Sequence, residues 1–146
     1  MKIYTIGFAK KTAQYFFETL KKSGVKRIID VRLYNTSQLA GFAKKEDLSY
    51  FLREICAIDY VYCPELAPTK VLLDAYKKQQ KDWDSYADEF LRLMEMWRVA
   101  DSLSKDLIHE GCLLCSEDLP DRCHRRLAAE YLKKTWPDTV EIVHLI

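Results

Sequence analysis

The stretch GCLLCSEDLPDRCHRRLAAEYLKK, Gly111 to Lys134, contains the transition on which the fold turns. Ile108 or Gly111 to Cys115 is short and apolar, as a buried strand would be. A polar turn with one proline follows. Asp121 to Lys134 then reads as a basic amphipathic helix, with Leu127, Ala128, Tyr131 and Leu132 on its apolar face. Cys115, Arg122, Cys123, His124, Arg125 and Arg126 lie no more than eleven positions apart, where the strand would end and the helix begin. Strand ends that open into helix N-termini are where open α/β sheets collect ligands. That junction is the first candidate site.

Working outward, the same alternation recurs. Lys2 to Ile6 (KIYTI) is β-branched and aromatic and ends at Gly7, which predicts a first strand. Thr12 can cap a helix carrying Ala13, Phe16, Phe17 and Leu20, closed by Ser23-Gly24. Val25 to Val31 predicts a second strand, with Asp30 and Arg32 at its C-terminal end. The polar segment from Leu33 to Lys45 is long for a loop, and such loops are often functional. Leu48, Phe51, Leu52 and Ile55 mark a second helix, and Ile58 to Cys63 a third strand. Pro64 to Thr69 can continue neither.

Val71 to Gln80 predicts a short helix. A longer one, capped by Asp84 or Ser85, carries Tyr86, Phe90, Leu93, Met94 and Trp97 as core residues to about Leu103. Thr139 to Leu145 closes the chain as a fifth strand. The expected architecture is α/β: a single three-layer domain, residues 1–146, with a mostly parallel five-stranded sheet and helices on both faces.

Composition excludes little but limits the partners. Hydrophobic residues make up 49% of the 146, enough for one core, and a net charge of +1 gives no global attraction to nucleic acid or membrane. The apolar run in MKIYTIGFAKKT is too short for a signal peptide, and no run approaches the roughly 18 apolar residues of a membrane span. A cytoplasmic location is expected. The five cysteines, Cys56, Cys63, Cys112, Cys115 and Cys123, are then expected to be free thiols, with Cys56 simply packed.

Short motifs spread along almost the whole chain carry a resemblance. They are TIG at Thr5 to Gly7, DVR at Asp30 to Arg32, Ser37 followed by Phe42, ELAPT at Glu65 to Thr69, LLCSE at Leu113 to Glu117, and CHRR at Cys123 to Arg126. In their order and spacing the chain resembles the DUF488 family of bacterial and archaeal proteins. That resemblance implies the fold and the place of the site rather than a reaction. The family often has His-Ser after TIG, where this chain has Phe8-Ala9.

At the junction, a thiol beside a helix N-terminus and cationic groups has its thiolate favoured. Cys115 is the expected nucleophile or ligand, with Cys123 beside it and His124 as acid/base or co-ligand. Arg32, Arg125 and Arg122 are expected to hold an anion, with Ser37 and Glu117 as further polar candidates. Asp30 is expected to orient a neighbour, and His124 is one choice. The implied partner is a small anionic, phosphate- or nucleotide-like substrate, and the implied chemistry thiol-dependent or metal-assisted hydrolysis or transfer. Cys115 to Arg122 is one residue longer than the Cys-x5-Arg loop of tyrosine phosphatases and lacks its glycines, which argues against that reaction.

Two alternatives stand beside the enzyme. Cys115, Cys123 and His124, with Cys63 as a further donor, would suit zinc or iron. Cys112 and Cys115 form a C-x2-C, but residues three apart on a strand face opposite sides. A nucleic-acid-binding face is the other alternative, since Asp121 to Lys134 holds five Lys or Arg against two Asp or Glu. Taken singly, each of these cysteines reads better as core and each arginine as solvated surface. Their convergence on one sheet edge raises the functional reading.

Overall fold

Strands β1 (Lys2–Gly7), β2 (Arg27–Asp30), β3 (Asp59–Tyr62), β4 (Gly111–Cys115) and β5 (Glu141–Leu145) form one parallel sheet, in the order β3-β2-β4-β1-β5. They are seen in a computed structural model that describes residues 1–35 and 41–146. Ser37 lies outside the described residues. The central strands β4, β1 and β2 are covered on both faces, which explains why they read as continuous apolar runs rather than alternating ones.

Helices α1 (Ala13–Ser23) and α2 (Lys45–Phe51) cover one face. Phe16, Phe17, Leu20, Leu48 and Leu52 pack there on Ile6, Ile28, Cys112 and Leu114. The other face carries α3 (Lys70–Lys77), α4 (Trp83–Met96), α5 (Val99–Ser102), α6 (Lys105–Ile108) and α7 (His124–Thr135). There Leu72, Phe90, Met94, Leu127 and Ala128 pack on Ile3, Ile29 and Leu113. The three-layer α/β expectation is met.

Local chemistry sets the helix ends. Thr12 caps α1 by accepting from the Tyr15 amide at 3.1 Å, and Gly24 ends it at a φ of 87°, the left-handed region that glycine enters at little cost. Asp82, not Asp84 or Ser85, caps α4, its carboxylate accepting from the Ser85 amide at 2.8 Å. The apolar period predicts that helix to about Leu103, yet it stops at Met96. Arg98 takes a φ of 50°, and the chain turns into the one-turn helices α5 and α6. Tertiary bonds hold the break: the Ala100 amide donates to the Tyr131 hydroxyl at 2.9 Å, and the Ala100 carbonyl accepts from Trp136 Nε1 at 3.4 Å. Helix α7 begins at His124 rather than Asp121, which leaves Arg122 in the preceding turn and Cys123 at the cap position. Among the described residues no helix is long and apolar enough to cross a membrane.

Candidate functional site

Strand register brings three chain ends together. Gly7 of β1 pairs with Cys115 of β4, and Asp30 of β2 pairs with Leu114. From β1 and β2 the chain departs to the α1–α2 face, and from β4 to the face of α7. Diverging connections of this kind leave a crevice at the carboxyl ends of the strands. A cavity of about 180 Å³ occupies it, with Cys115, Cys123, His124, Arg32, Glu117 and Arg122 among the residues that line it.

Alternation along β4 sends Cys112 and Leu114 to the α1–α2 core and Leu113 to the other. Cys115 therefore emerges toward α7, and the C-x2-C is split across the sheet. Its Sγ lies 3.5 Å from His124 Nδ1. His124 Nε2 donates to the Val31 carbonyl at 2.6 Å. A carbonyl only accepts, so the ring keeps its proton on Nε2 and turns Nδ1 to the sulfur. Of the groups Asp30 is expected to orient, His124 is held by the backbone of Val31 instead, and Arg32 is the one Asp30 holds.

Cys123 Sγ joins them, and the three donor atoms lie within 4.8 Å of one another. The Cys123 thiol is the largest stabiliser of a Cys115 thiolate; burial opposes it, while the charge and hydrogen bond of His124 add support. The result is a Cys115 pKa well below that of an ordinary thiol. Cys123 shifts the other way, through burial and its bond to Cys115. For His124, burial disfavours the imidazolium, but the Cys115 charge, its hydrogen bond and the Val31 carbonyl outweigh that, so its pKa rises.

Asp30 anchors Arg32. The fully buried carboxylate accepts from Arg32 Nε at 2.9 Å, from Nη2 at 2.8 Å and from the Tyr60 hydroxyl at 2.5 Å. The guanidinium also stacks on Phe8, 5.3 Å from the ring centre. This leaves Arg32 Nη1 buried and, among the described residues, without a partner, on a side chain that lines the cavity. A buried, permanently charged N–H of this kind suits an anion.

Arg125 is placed differently from its expected anion-binding role. It is fully buried, does not line the cavity, and donates from Nη1 to the Glu117 carbonyl at 2.5 Å and from Nη2 to the Asp118 carbonyl at 3.2 Å. It clamps the loop after β4, which Lys11 also ties down through Asp118 at 2.9 Å. Gly7 makes room for this clamp, because a Cβ there would run into the Glu117 carbonyl and Arg125 Nη1. We expect Gly7→Ala to destabilise the domain by about 1–3 kcal/mol, as overpacking does, measured by chemical denaturation.

Of the expected donors, Cys63 stays apart. Its thiol donates to Glu65 at 3.3 Å, and burial followed by that carboxylate pushes its pKa up to about 12. Sequence reasoning missed the aromatic wall. Tyr76, Trp83 and Tyr86 form a mutually packed set with ring centres 4.9–5.7 Å apart, and all three line the cavity. Helical spacing assigns Tyr86 to the core, and it is core, yet one side of it faces the cavity. Nothing in the spacing links Tyr76, on α3, to a site built from β4 and α7. Phe8 stood out only as the departure after TIG, and Tyr60 only as an aromatic within the third strand.

Residues 12–132 match the family model described as Domain of unknown function DUF488, and the chain belongs to that family. The matched span includes Asp30, Arg32, Cys115, Cys123 and His124 but not Gly7. No curated protein and no solved structure matches the chain.

Proposed function

We propose that this DUF488 chain is an intracellular enzyme whose Cys115 thiolate attacks a small anionic, phosphate- or nucleotide-like substrate. The observation that carries this reading is the imidazole of His124, with Nε2–H held by Val31 and Nδ1 facing Cys115 at 3.5 Å. That is the arrangement of a base beside a nucleophile, with a third group orienting the base. In the reaction, His124 Nδ1 takes the Cys115 proton. A bond then forms from sulfur to the electrophilic centre as the bond to the leaving group breaks, and Nδ1–H returns its proton to the leaving group. Water or an acceptor hydroxyl, losing its proton to the now neutral His124 Nδ1, then bonds to the same centre as its bond to sulfur breaks, which restores the thiolate. Arg32 Nη1 and Arg122 would hold the anionic group, and Tyr76, Trp83 and Tyr86 would cover an aryl or base portion. Five free cysteines suit the reducing cytoplasm.

The charge preference can be tested without knowing the substrate. Cys115 is expected to react faster with anionic iodoacetate than with neutral iodoacetamide, and Arg122→Ala is expected to lower that ratio several-fold. A ratio no higher than that of a free thiol, and unmoved by Arg122→Ala, would sink the anion site.

A second reading rests on the clustered donors. Two sulfurs and one imidazole nitrogen within 4.8 Å suit zinc or iron, and the Nε2–H bond to Val31 is the kind of backing a ligating histidine has. About one equivalent of metal per purified chain, lost in Cys115→Ser, would favour it. Nucleic-acid binding draws less support. Of the five basic residues that suggested a phosphate-contacting face, Arg125 is buried in the loop clamp.

A further inference from the structure

We infer that Cys123 is a resolving thiol, closing an intrachain disulfide with Cys115 when a hydroperoxide oxidises the site. The inference rests on the reading of Cys115 as a thiolate and adds a redox activity that turns the nucleophile off. Its first support is proximity, with the two sulfurs and a ring nitrogen of His124 within 4.8 Å of one another. The second is position. Cys123 occupies the cap of α7 in an extended conformation, φ −137° and ψ 138°, and makes no capping hydrogen bond. Ser, Thr, Asp or Asn would stabilise that position by about 1 kcal/mol, so capping the helix does not account for a cysteine there. Lying outside the helix, Cys123 can turn its sulfur toward Cys115 without breaking the ladder of α7.

The other cysteines are excluded by where they sit. Cys112 is on the opposite face of the sheet, Cys63 is bonded to Glu65, and Cys56 to the Phe17 carbonyl at 3.5 Å. Cys115 and Cys123 alone among the five line the cavity, through which a small peroxide can reach them.

The chemistry balances with a hydroperoxide as oxidant. The Cys115 thiolate attacks the terminal peroxide oxygen; the S–O bond forms and the O–O bond breaks. The departing alkoxide or hydroxide takes the proton from His124 Nδ1, leaving Cys115 as a sulfenic acid. Neutral His124 then accepts the Cys123 proton, and Cys123 sulfur attacks Cys115 sulfur. The S–S bond forms, the S–O bond breaks, and the hydroxyl leaves with that proton as water. Two thiols and one hydroperoxide give a disulfide, an alcohol or water, and water. A dithiol reductant restores the site.

The test treats the reduced full-length protein with one equivalent of hydrogen peroxide, then maps thiols by alkylation, trypsin digestion and fragment-ion analysis. Cleavage after Arg122 separates the two cysteines, and fragment ions tell Cys115 from Cys112 in their shared peptide. The expected product joins Cys115 to Cys123, is two hydrogens lighter than the separate peptides, and disappears with dithiothreitol, while Cys56, Cys63 and Cys112 stay alkylatable. In Cys123→Ser the Cys115 sulfenic acid should persist and be trapped by dimedone. If the wild type instead carries sulfenic or sulfinic Cys115 with Cys123 free, the resolving role is overturned and the thiolate reading stands. If Cys115 resists both peroxide and iodoacetamide, both are overturned.

Discussion

Arg125→Met should lower the stability of the domain by about 3 kcal/mol, because it removes two charge-assisted hydrogen bonds of at least ~1.5 kcal/mol each. The methionine would fill much of the same buried volume, so the loss reports the bonds to the Glu117 and Asp118 carbonyls rather than a cavity. For a domain of ordinary stability, roughly 5–15 kcal/mol, that is a large fraction. The control is Arg122→Ala, an exposed change on the same turn, which should stay within about 0.5 kcal/mol. Urea denaturation of the two variants beside wild type decides it. Equal stabilities would mean that the clamp does not hold the loop and that Arg125 is available to a ligand after all.

The second large effect is on reactivity. Removing the groups that stabilise the thiolate should raise the pH at which Cys115 reacts. Cys123 contributes most and His124 next, so Cys123→Ala and His124→Asn should both move the profile upward. The sign follows from the ionisation itself: a depressed pKa makes the thiolate abundant at lower pH, and losing its partners returns it toward the usual value. Once the pKa exceeds the working pH, each further unit costs about tenfold in thiolate. Alkylation rates at neutral pH should therefore fall in both variants at denaturant levels below their denaturation midpoints, although His124→Asn also loses the bond to the Val31 carbonyl and with it some stability. A variant that loses rate only because it unfolds would show itself in that midpoint.

Most of the architecture was legible because strand and helix periods alternate cleanly and the interruptions are chemical: Gly7, Ser23-Gly24, Pro64. The failures have physical causes. The helix from Trp83 stops at Met96 although its apolar period continues, because Tyr131 and Trp136, distant in sequence, bind the backbone of Ala100. For the site, placing Cys115, Cys123, His124 and Arg32 on one edge needed only the strand ends. The partners of each group did not follow. Val31 orients His124 through a backbone carbonyl, which no side-chain pattern announces. Arg125 points inward from the first turn of α7 while Arg122 sits in the exposed turn before it, and the ligands of Arg125 are likewise carbonyls.

The most direct test of the central claim is the pH dependence of Cys115 alkylation in the wild-type protein, followed site by site with Cys115→Ser as control. A half-maximal rate well below the ordinary thiol pKa of about 8.5 is the expected result. A midpoint at or above that value, with Cys115 no more reactive than a buried cysteine such as Cys112, would contradict it.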